Sequence, residues 1–256
     1  MALSRGVGSR LRNAASRARH VVQRLGWTHA ALWLCSAVGR RASIHFFVIT
    51  IHPIANDLRV DQTLGFERRF LTPDEIMHFA SDEGYRYSRA FASEAMARGD
   101  RCFGILERGR LICYCWYAAG AAPVFEDIEV LVEAPFIYAY NAYTDQAYRG
   151  RGLHILGIDA ASSEFQREGF TDITAYIESD NLAPLMAARK MGERFVGFVV
   201  LFRAFGRFRW FATPGCRNAG LSVMRRTEPR RTESEKSPER RAGQHKGSLS
   251  RDKPVS

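Results

Sequence analysis

Tyr148-Arg149-Gly150-Arg151-Gly152-Leu153, read YRGRGL, is the stretch on which the rest of the chain turns. It separates an alternating apolar run, Phe136 to Thr144, from a helical pattern over Gly152 to Gln166 whose apolar positions are Leu153, Leu156, Ile158, Ala161 and Phe165. Glycines at 150 and 152 let the backbone turn tightly, and the helix that starts there aims unsatisfied N–H groups at its own entrance. Such a turn holds a phosphate, with Arg149 and Arg151 as charged donors; a plain basic strand-to-helix turn reads the same way. The dinucleotide fingerprint is excluded, because Ile155 stands where the third glycine belongs, and a Walker loop is excluded because no Gly-Lys-Ser/Thr ending follows.

Working outward, Ser43 to Ile51 (SIHFFVITI) reads as a strand and the start of the main domain. Thr72, Pro73, Asp74 and Glu75 predict a capped helix to about Ala80, and a second helix is expected over Tyr85 to Ala97. CFGILE and LICYCWYA flank an Arg108-Gly109-Arg110 turn and predict a hairpin. Further strands are expected at Ile128 to Val132 and Phe136 to Thr144. After the glycine turn come a helix, the strand DITAYIE, a helix over Ala183 to Lys190 and a last hairpin around Gly206. The pattern predicts an α+β (mixed α/β) fold rather than a regular doubly wound one.

The 256 residues are 46% hydrophobic and carry a formal charge of +10, enough for one sizeable core. The charge is unevenly placed. Residues 1–55 hold eight arginines and no acid, and residues 221–256 hold ten basic against five acidic groups, so the middle is at −3. That leaves no broad basic surface for nucleic acid, and a nucleic-acid-binding module is the remote reading. Three segments are expected: a basic amphipathic extension over 1–42, a domain over 43–215 and a disordered basic tail over 216–256. Residues 8–25 suit peripheral contact with an anionic membrane, or packing on the domain, and the 11-residue apolar run from His29 to Gly39 is too short to span a bilayer. Five cysteines, an odd set without zinc spacing, point to a reducing, cytoplasmic setting, with the inner face of a membrane as the peripheral variant, and no metal is expected. Cys113 and Cys115 read as packed small residues.

The ordered set from about Arg101 through YTDQAYRGRGL, the helix to Gln166, the strand containing Ile177 and NLAPLMAARKMG at 181–192 resembles the GCN5-related N-acetyltransferase superfamily. That resemblance implies a central mixed, mostly antiparallel sheet with a splayed, V-shaped acyl-coenzyme A cleft and flanking helices. The family's Arg/Gln-x-x-Gly-x-Gly/Ala signature falls on Arg149, Gly152 and His154, where His154 departs from the usual small residue. The resemblance implies contacts to acetyl-coenzyme A, or another acyl-coenzyme A, from Ala142, Tyr143, Thr144, Arg149, Gly150, Arg151, Gly152, Leu153, His154 and Asn181. Asn181 also reads as a helix N-cap. The tyrosine that family enzymes place seven residues after this asparagine is Ala188 here. Tyr140 and Tyr143 are the alternative phenols, and Glu129 is the carboxylate expected to take the amine proton from a strand paired before YAYNAY. The implied activity is acetyl transfer to an amine acceptor by direct attack in a ternary complex. A catalytically silent acyl-coenzyme A binder and an acyltransferase with another thioester donor stand beside it. Pairing of two subunits along the last hairpin's edge is an open expectation, and the acceptor is not identified by these residues.

Overall fold

In the computed structural model the described residues are 21–54, 65–81, 84–125 and 127–226. All belong to the unit Met1–Arg226, and the second unit, Thr227–Ser256, lies outside them. The chain runs from helix α1 (Trp27–Gly39) and a 3-10 turn (Arg40–Ala42) into strand β1 (Ile44–Pro53). Strand β2 (Glu67–Phe70), helices α2 (Pro73–Phe79) and α3 (Arg89–Ala97) and strands β3 (Arg101–Glu107) and β4 (Arg110–Ala118) follow. Next come β5 (Ala121–Phe125), β6 (Ile128–Val132), β7 (Phe136–Thr144), a 3-10 turn (Gln146–Tyr148) and α4 (Leu153–Arg167). The order ends with β8 (Asp172–Glu178), α5 (Leu182–Lys190), β9 (Arg194–Ala204), β10 (Arg207–Ala212), α6 (Pro214–Asn218) and β11 (Leu221–Arg225).

Local chemistry explains several of these elements. The Thr72 hydroxyl accepts from the Glu75 N–H, while the Glu75 carboxylate accepts from the Thr72 N–H at 2.9 Å, a complete capping box at the head of α2. The β3–β4 hairpin turns through Arg108 and Gly109 at φ 50° and 79°, which suits the right-handed twist of its strands. Ser88 caps α3, so that helix starts four residues later than its apolar pattern suggested.

Eight strands form one sheet in the order β10-β9-β1-β8-β7-β4-β3-β2. Every neighbouring pair is antiparallel except β7 with β8, which is parallel. The fold is thus a mixed α/β one, with a mostly antiparallel sheet flanked by helices. On one face, α4 buries Leu153, Ile158, Ala161 and Phe165 against β3, β4 and β7, and Val21, Leu25 and Ala30 pack with Val48 and Leu185. The opposite face is covered by the α2–α3 pair and by a second, three-stranded sheet, β11-β6-β5.

The second sheet corrects two expectations. Strand β6 pairs with β5 and β11, not with the strand carrying YAYNAY, because β5 (AAPVF) supplies its partner. The fold also continues past Gly215: Cys216, Ala219 and Leu221 are buried and β11 closes the small sheet, so the domain reaches Arg226 rather than ending at 215. The expected disorder over 227–256 lies outside the described residues. At the amino end, residues 1–20 also lie outside them, while residues 21–25 are helical and bury Val21 and Leu25 in the domain. Ser36 joins Ser179 hydroxyl to hydroxyl at 2.5 Å, so α1 is packed on the domain that was expected to start at residue 43. Among the described residues, no helix is long and apolar enough to cross a membrane.

Candidate active site

Strands β7 and β8 pair only from Phe136 opposite Asp172 to Ala139 opposite Ala175. Beyond that both continue, each held by its outer neighbour alone, β4 for β7 and β1 for β8. The divergence has a local cause. Between the pairs Tyr114–Tyr143 and Trp116–Tyr140, β4 contributes one residue, Cys115, and β7 contributes two, Asn141 and Ala142, with Asn141 at φ 45°. An extra residue in one strand bends it and increases its twist, which carries the end of β7 away from β8. Over 140–144 the edge of β7 that faces β8 has no strand partner, so its backbone polar groups form no ladder with a neighbouring strand there.

The opening is a cavity of about 450 Å³. Successive side chains of β8 point to opposite sides of the sheet, and Ala175 and Ile177 line the cavity from the α4 face while Tyr176 and Glu178 line it from the other. The cavity therefore passes through the sheet between the two strands.

On the α4 face the cavity is lined by His154 and Ile158, and the glycine turn immediately precedes the helix that carries them. Gly150 and Gly152 have φ values of 79° and 76°, a conformation that glycine adopts without strain, and Gly152 occupies the N-cap position of α4 with no side chain to cap it. The first amides of α4 thus remain available to an anion. Leu153 anchors the helix start in the core. Arg149 is exposed and donates through Nε to the Thr144 carbonyl at 3.2 Å, which holds its guanidinium beside the turn. The Arg151 guanidinium lies over the Tyr148 ring, 5.0 Å from its centre. His154 lines the cavity, and burial lowers its pKa, so its ring is neutral at physiological pH.

Asn181 and Ala188 line the cavity from the head and the body of α5, about two turns apart. The Asn181 side chain makes no capping bond at the head of α5, although the residue sits at the N-cap position. Ala188 is buried, so no phenol reaches the cavity from that point. Also in the lining are His52 and Glu193, with Asp159 at 3.9 Å from the His52 Nε2. Burial raises the pKa of Glu193 and of Asp159, with His52 acting against it in each case. These three come from β1, α4 and the residue before β9, and no spacing in the sequence links them.

Tyr140 lies on the other side of the sheet. Its hydroxyl donates to Asp100 Oδ2 at 2.5 Å, and Arg98 donates to the same oxygen at 2.7 Å through Nη2. Burial is the largest influence on Asp100 and raises its pKa; Tyr140 and Arg98 oppose the rise. The Tyr140 pKa is raised by burial and by the Asp100 carboxylate, which makes the phenol a poor acid. The ring stacks on Tyr138 at 5.5 Å, and Tyr138 stacks on Tyr176 at 5.7 Å.

The remaining sequence candidates fall elsewhere. The bulge puts Tyr143 on the same face as Tyr140, but it stacks on Tyr114 at 5.5 Å beneath Arg86 and is not in the cavity lining. Ala142 lines the cavity at the bulge itself, and Thr144 pairs with Cys113. Glu129 sits on β6 in the small sheet, opposite Met224 and Pro123, outside the cavity lining. Cys113 and Cys115 are buried, with pKa values pushed up by burial to about 11 and about 12, which leaves them as thiols. Asp100, Tyr176 and Glu193 were not singled out by sequence. Tyr176 had a legible signal, since alternation in DITAYIE places it across the strand from Ala175.

No family model matches the chain, and no curated protein matches it. Solved structures similar to it include a protein assigned to the acetyltransferases of the GNAT family from Novosphingobium aromaticivorans, at 16% identity and a TM-score of 0.43, covering 61% of this chain and 62% of that one. A GCN5-related N-acetyltransferase from Sphaerobacter thermophilus is 14% identical at a TM-score of 0.43, covering 79% and 57%. An acetyltransferase from Clostridium acetobutylicum with acetyl-CoA is 14% identical at 0.36, covering 50% and 88%. The chain spans about three fifths of the length of the first two.

Proposed function

We propose that the chain is a GCN5-related N-acetyltransferase that moves an acetyl group from acetyl-coenzyme A to an amine. The observation that carries this reading is a cavity lined both by the unpaired edge of β7 and by His154, in the first turn of a helix that starts uncapped at a positive-φ glycine turn beside Arg149. An extended amide-bearing arm ending in a pyrophosphate needs those two features side by side, and a plain strand-to-helix turn needs neither.

Residues Gly150 to His154 would hold the pyrophosphate through backbone N–H groups, with Arg149 and Arg151 adding charge. The edge of β7 from Tyr140 to Thr144 would pair with the amides of the arm, and Asn181 would bond to it from α5. Bound there, acetyl-coenzyme A supplies an electrophilic thioester carbonyl and a thiolate leaving group, so that one N–C bond forms as one C–S bond breaks. Backbone donors at the bulge favour the oxyanion over the planar carbonyl. The Tyr140 oxygen accepts the amine N–H while the phenolic proton passes to Asp100, whose raised pKa suits it to receive one. With Ala188 in place of a phenol, the sulfur leaves as thiolate.

Calorimetry with acetyl-coenzyme A, followed by thiol release across an amine panel, tests the proposal. Binding with turnover supports it. Binding without turnover for any amine points to a silent acyl-coenzyme A binder, and absence of binding overturns both readings.

A further inference from the structure

The side of the cavity away from the glycine turn is chemically unlike the side that faces it. Its lining is Phe47, Val124, Phe125, Tyr140, Tyr176 and Glu178. The aromatic groups are mutually braced: Phe47 meets Tyr176 edge-on at 4.9 Å and Phe125 at 6.0 Å, and Tyr176 belongs to the stack through Tyr138 to Tyr140. Phe125 comes from the small sheet, so the wall is assembled from three separate strands and the second sheet.

One carboxylate stands among these rings. Glu178 faces His45 at 3.7 Å and Arg40 at 4.0 Å, and Arg40 also pairs with Asp180. The two carboxylates of Glu178 and Asp180 share the one Arg40 guanidinium, a net formal charge of −1 over those three groups. Aromatic faces attract a cation, and a nearby carboxylate adds to that attraction. The same walls offer little to a hydroxylated skeleton. The Tyr140 hydroxyl gives its hydrogen to Asp100 and its oxygen is the acceptor for the amine N–H, so neither is left for a sugar hydroxyl, and a buried hydroxyl left without a partner lowers affinity.

We infer that the acceptor side of this cavity selects a small amine with one cationic nitrogen on an apolar or aromatic skeleton, in preference to an amino sugar or a lysine side chain in a peptide. The inference rests on the acetyl-transfer reading, and it adds the substrate class. Tyr176 and Glu178 are its recognition residues: the ring faces the ammonium group before proton loss, and the carboxylate holds it at the mouth. Phe47, Val124 and Phe125 take the carbon skeleton.

The test uses the full chain and two readouts. With acetyl-coenzyme A present, phenethylamine, hexylamine, glucosamine and a lysine-containing peptide are compared by kcat/KM. In parallel, calorimetry measures binding of trimethyl(2-phenylethyl)ammonium, which carries the cation and the ring but cannot be acetylated. Phenethylamine is expected to exceed glucosamine and the peptide by at least about 10-fold. Tyr176→Leu is expected to weaken the quaternary ammonium by about 3- to 30-fold, the range of a cation–π contact, while Tyr176→Phe keeps most of the affinity, and Glu178→Gln is expected to weaken it by about 2- to 5-fold, the range of a partly exposed ion pair. Glu178 is at the rim, so its variant remains informative if Tyr176→Leu fails to fold. Turnover that favours glucosamine or the peptide overturns the inference and leaves acetyl transfer standing. Quaternary ammonium binding that depends on Tyr176, with no turnover of any amine, supports the recognition site and overturns the transfer reaction. Absence of binding by the quaternary ammonium overturns the inference.

Discussion

Tyr140 donates its phenolic hydrogen to Asp100 Oδ2 at 2.5 Å, across 40 residues of sequence, and thereby ties the divergent end of β7 to the loop between α3 and β3. The carboxylate is nearly inaccessible, and Arg98 balances its charge.

That pair sets the first prediction. Asp100→Asn removes the final proton acceptor and should lower kcat by about 100-fold, the lower bound for a positioned base, with the affinity for acetyl-coenzyme A unchanged. The acid limb of the wild-type pH–kcat profile should lie above the ordinary carboxylate range and be absent from the variant. The linkage also has a definite sign. Because the folded pKa of Asp100 is raised, the fold binds this proton more tightly than the unfolded chain does. Its contribution to stability is full below about 3.8 and declines as pH rises through the folded pKa. Melting curves of wild type and Asp100→Asn from pH 3 to 7 read this directly, and a difference that grows in favour of wild type with pH would contradict it.

A second prediction concerns the glycine turn. Arg149→Ala should weaken coenzyme A binding by about 10- to 100-fold, the worth of a charged hydrogen bond, with little change in Tm because Arg149 is exposed. Unchanged affinity by calorimetry would remove Arg149 from the phosphate site.

The capping box of α2 gives a third. Arg69 grips Glu75 with two bonds of 2.6 Å, and this, with the Thr72 amide, lowers the Glu75 pKa from 4.5 to about 2. A lowered carboxylate pKa contributes stability that is present above 4.5 and is lost as pH falls through about 2. Glu75→Gln should therefore melt below wild type at pH 7, and the gap should close as the pH drops through that window. The pair is partly exposed, so salt should narrow the gap as well.

A fourth tests the extension of the fold past Gly215. A Cβ on Gly215 would stand 1.7 Å from the Val196 carbonyl oxygen, so Gly215→Ala forces α6 away from β9. Leu221→Ala empties a buried position of β11 and should cost about 2–5 kcal/mol in denaturant unfolding. A pair of variants as stable as wild type would show that residues 215–221 add nothing to the fold.

Much of this molecule was legible in one dimension. The capping box at Thr72, the hairpin at Arg108-Gly109, the strand Phe136–Thr144 and the glycine turn into α4 each rest on contacts within a few residues, and each forms where its pattern places it. Glu129 shows where that kind of reading stops. Its strand was recognised, but its partners were not, because the adjacent β5 places Pro123 opposite Glu129 and so reads weakly as a strand, while β11 lies far along the chain.

The sequence by itself determined most of the local frame: the strands and helices of the large sheet apart from β2, where a phosphate could be met, and that no phenol stands at position 188. Only the tertiary structure decided which side chains share the cavity. Tyr140 meets Asp100 from the regular part of β7, the extra residue of the bulge beyond it opens β7 from β8, and the second sheet brings Phe125 beside Phe47 and Tyr176. Alternation along a strand tells which residues share a face; which faces meet is settled when the sheets pack.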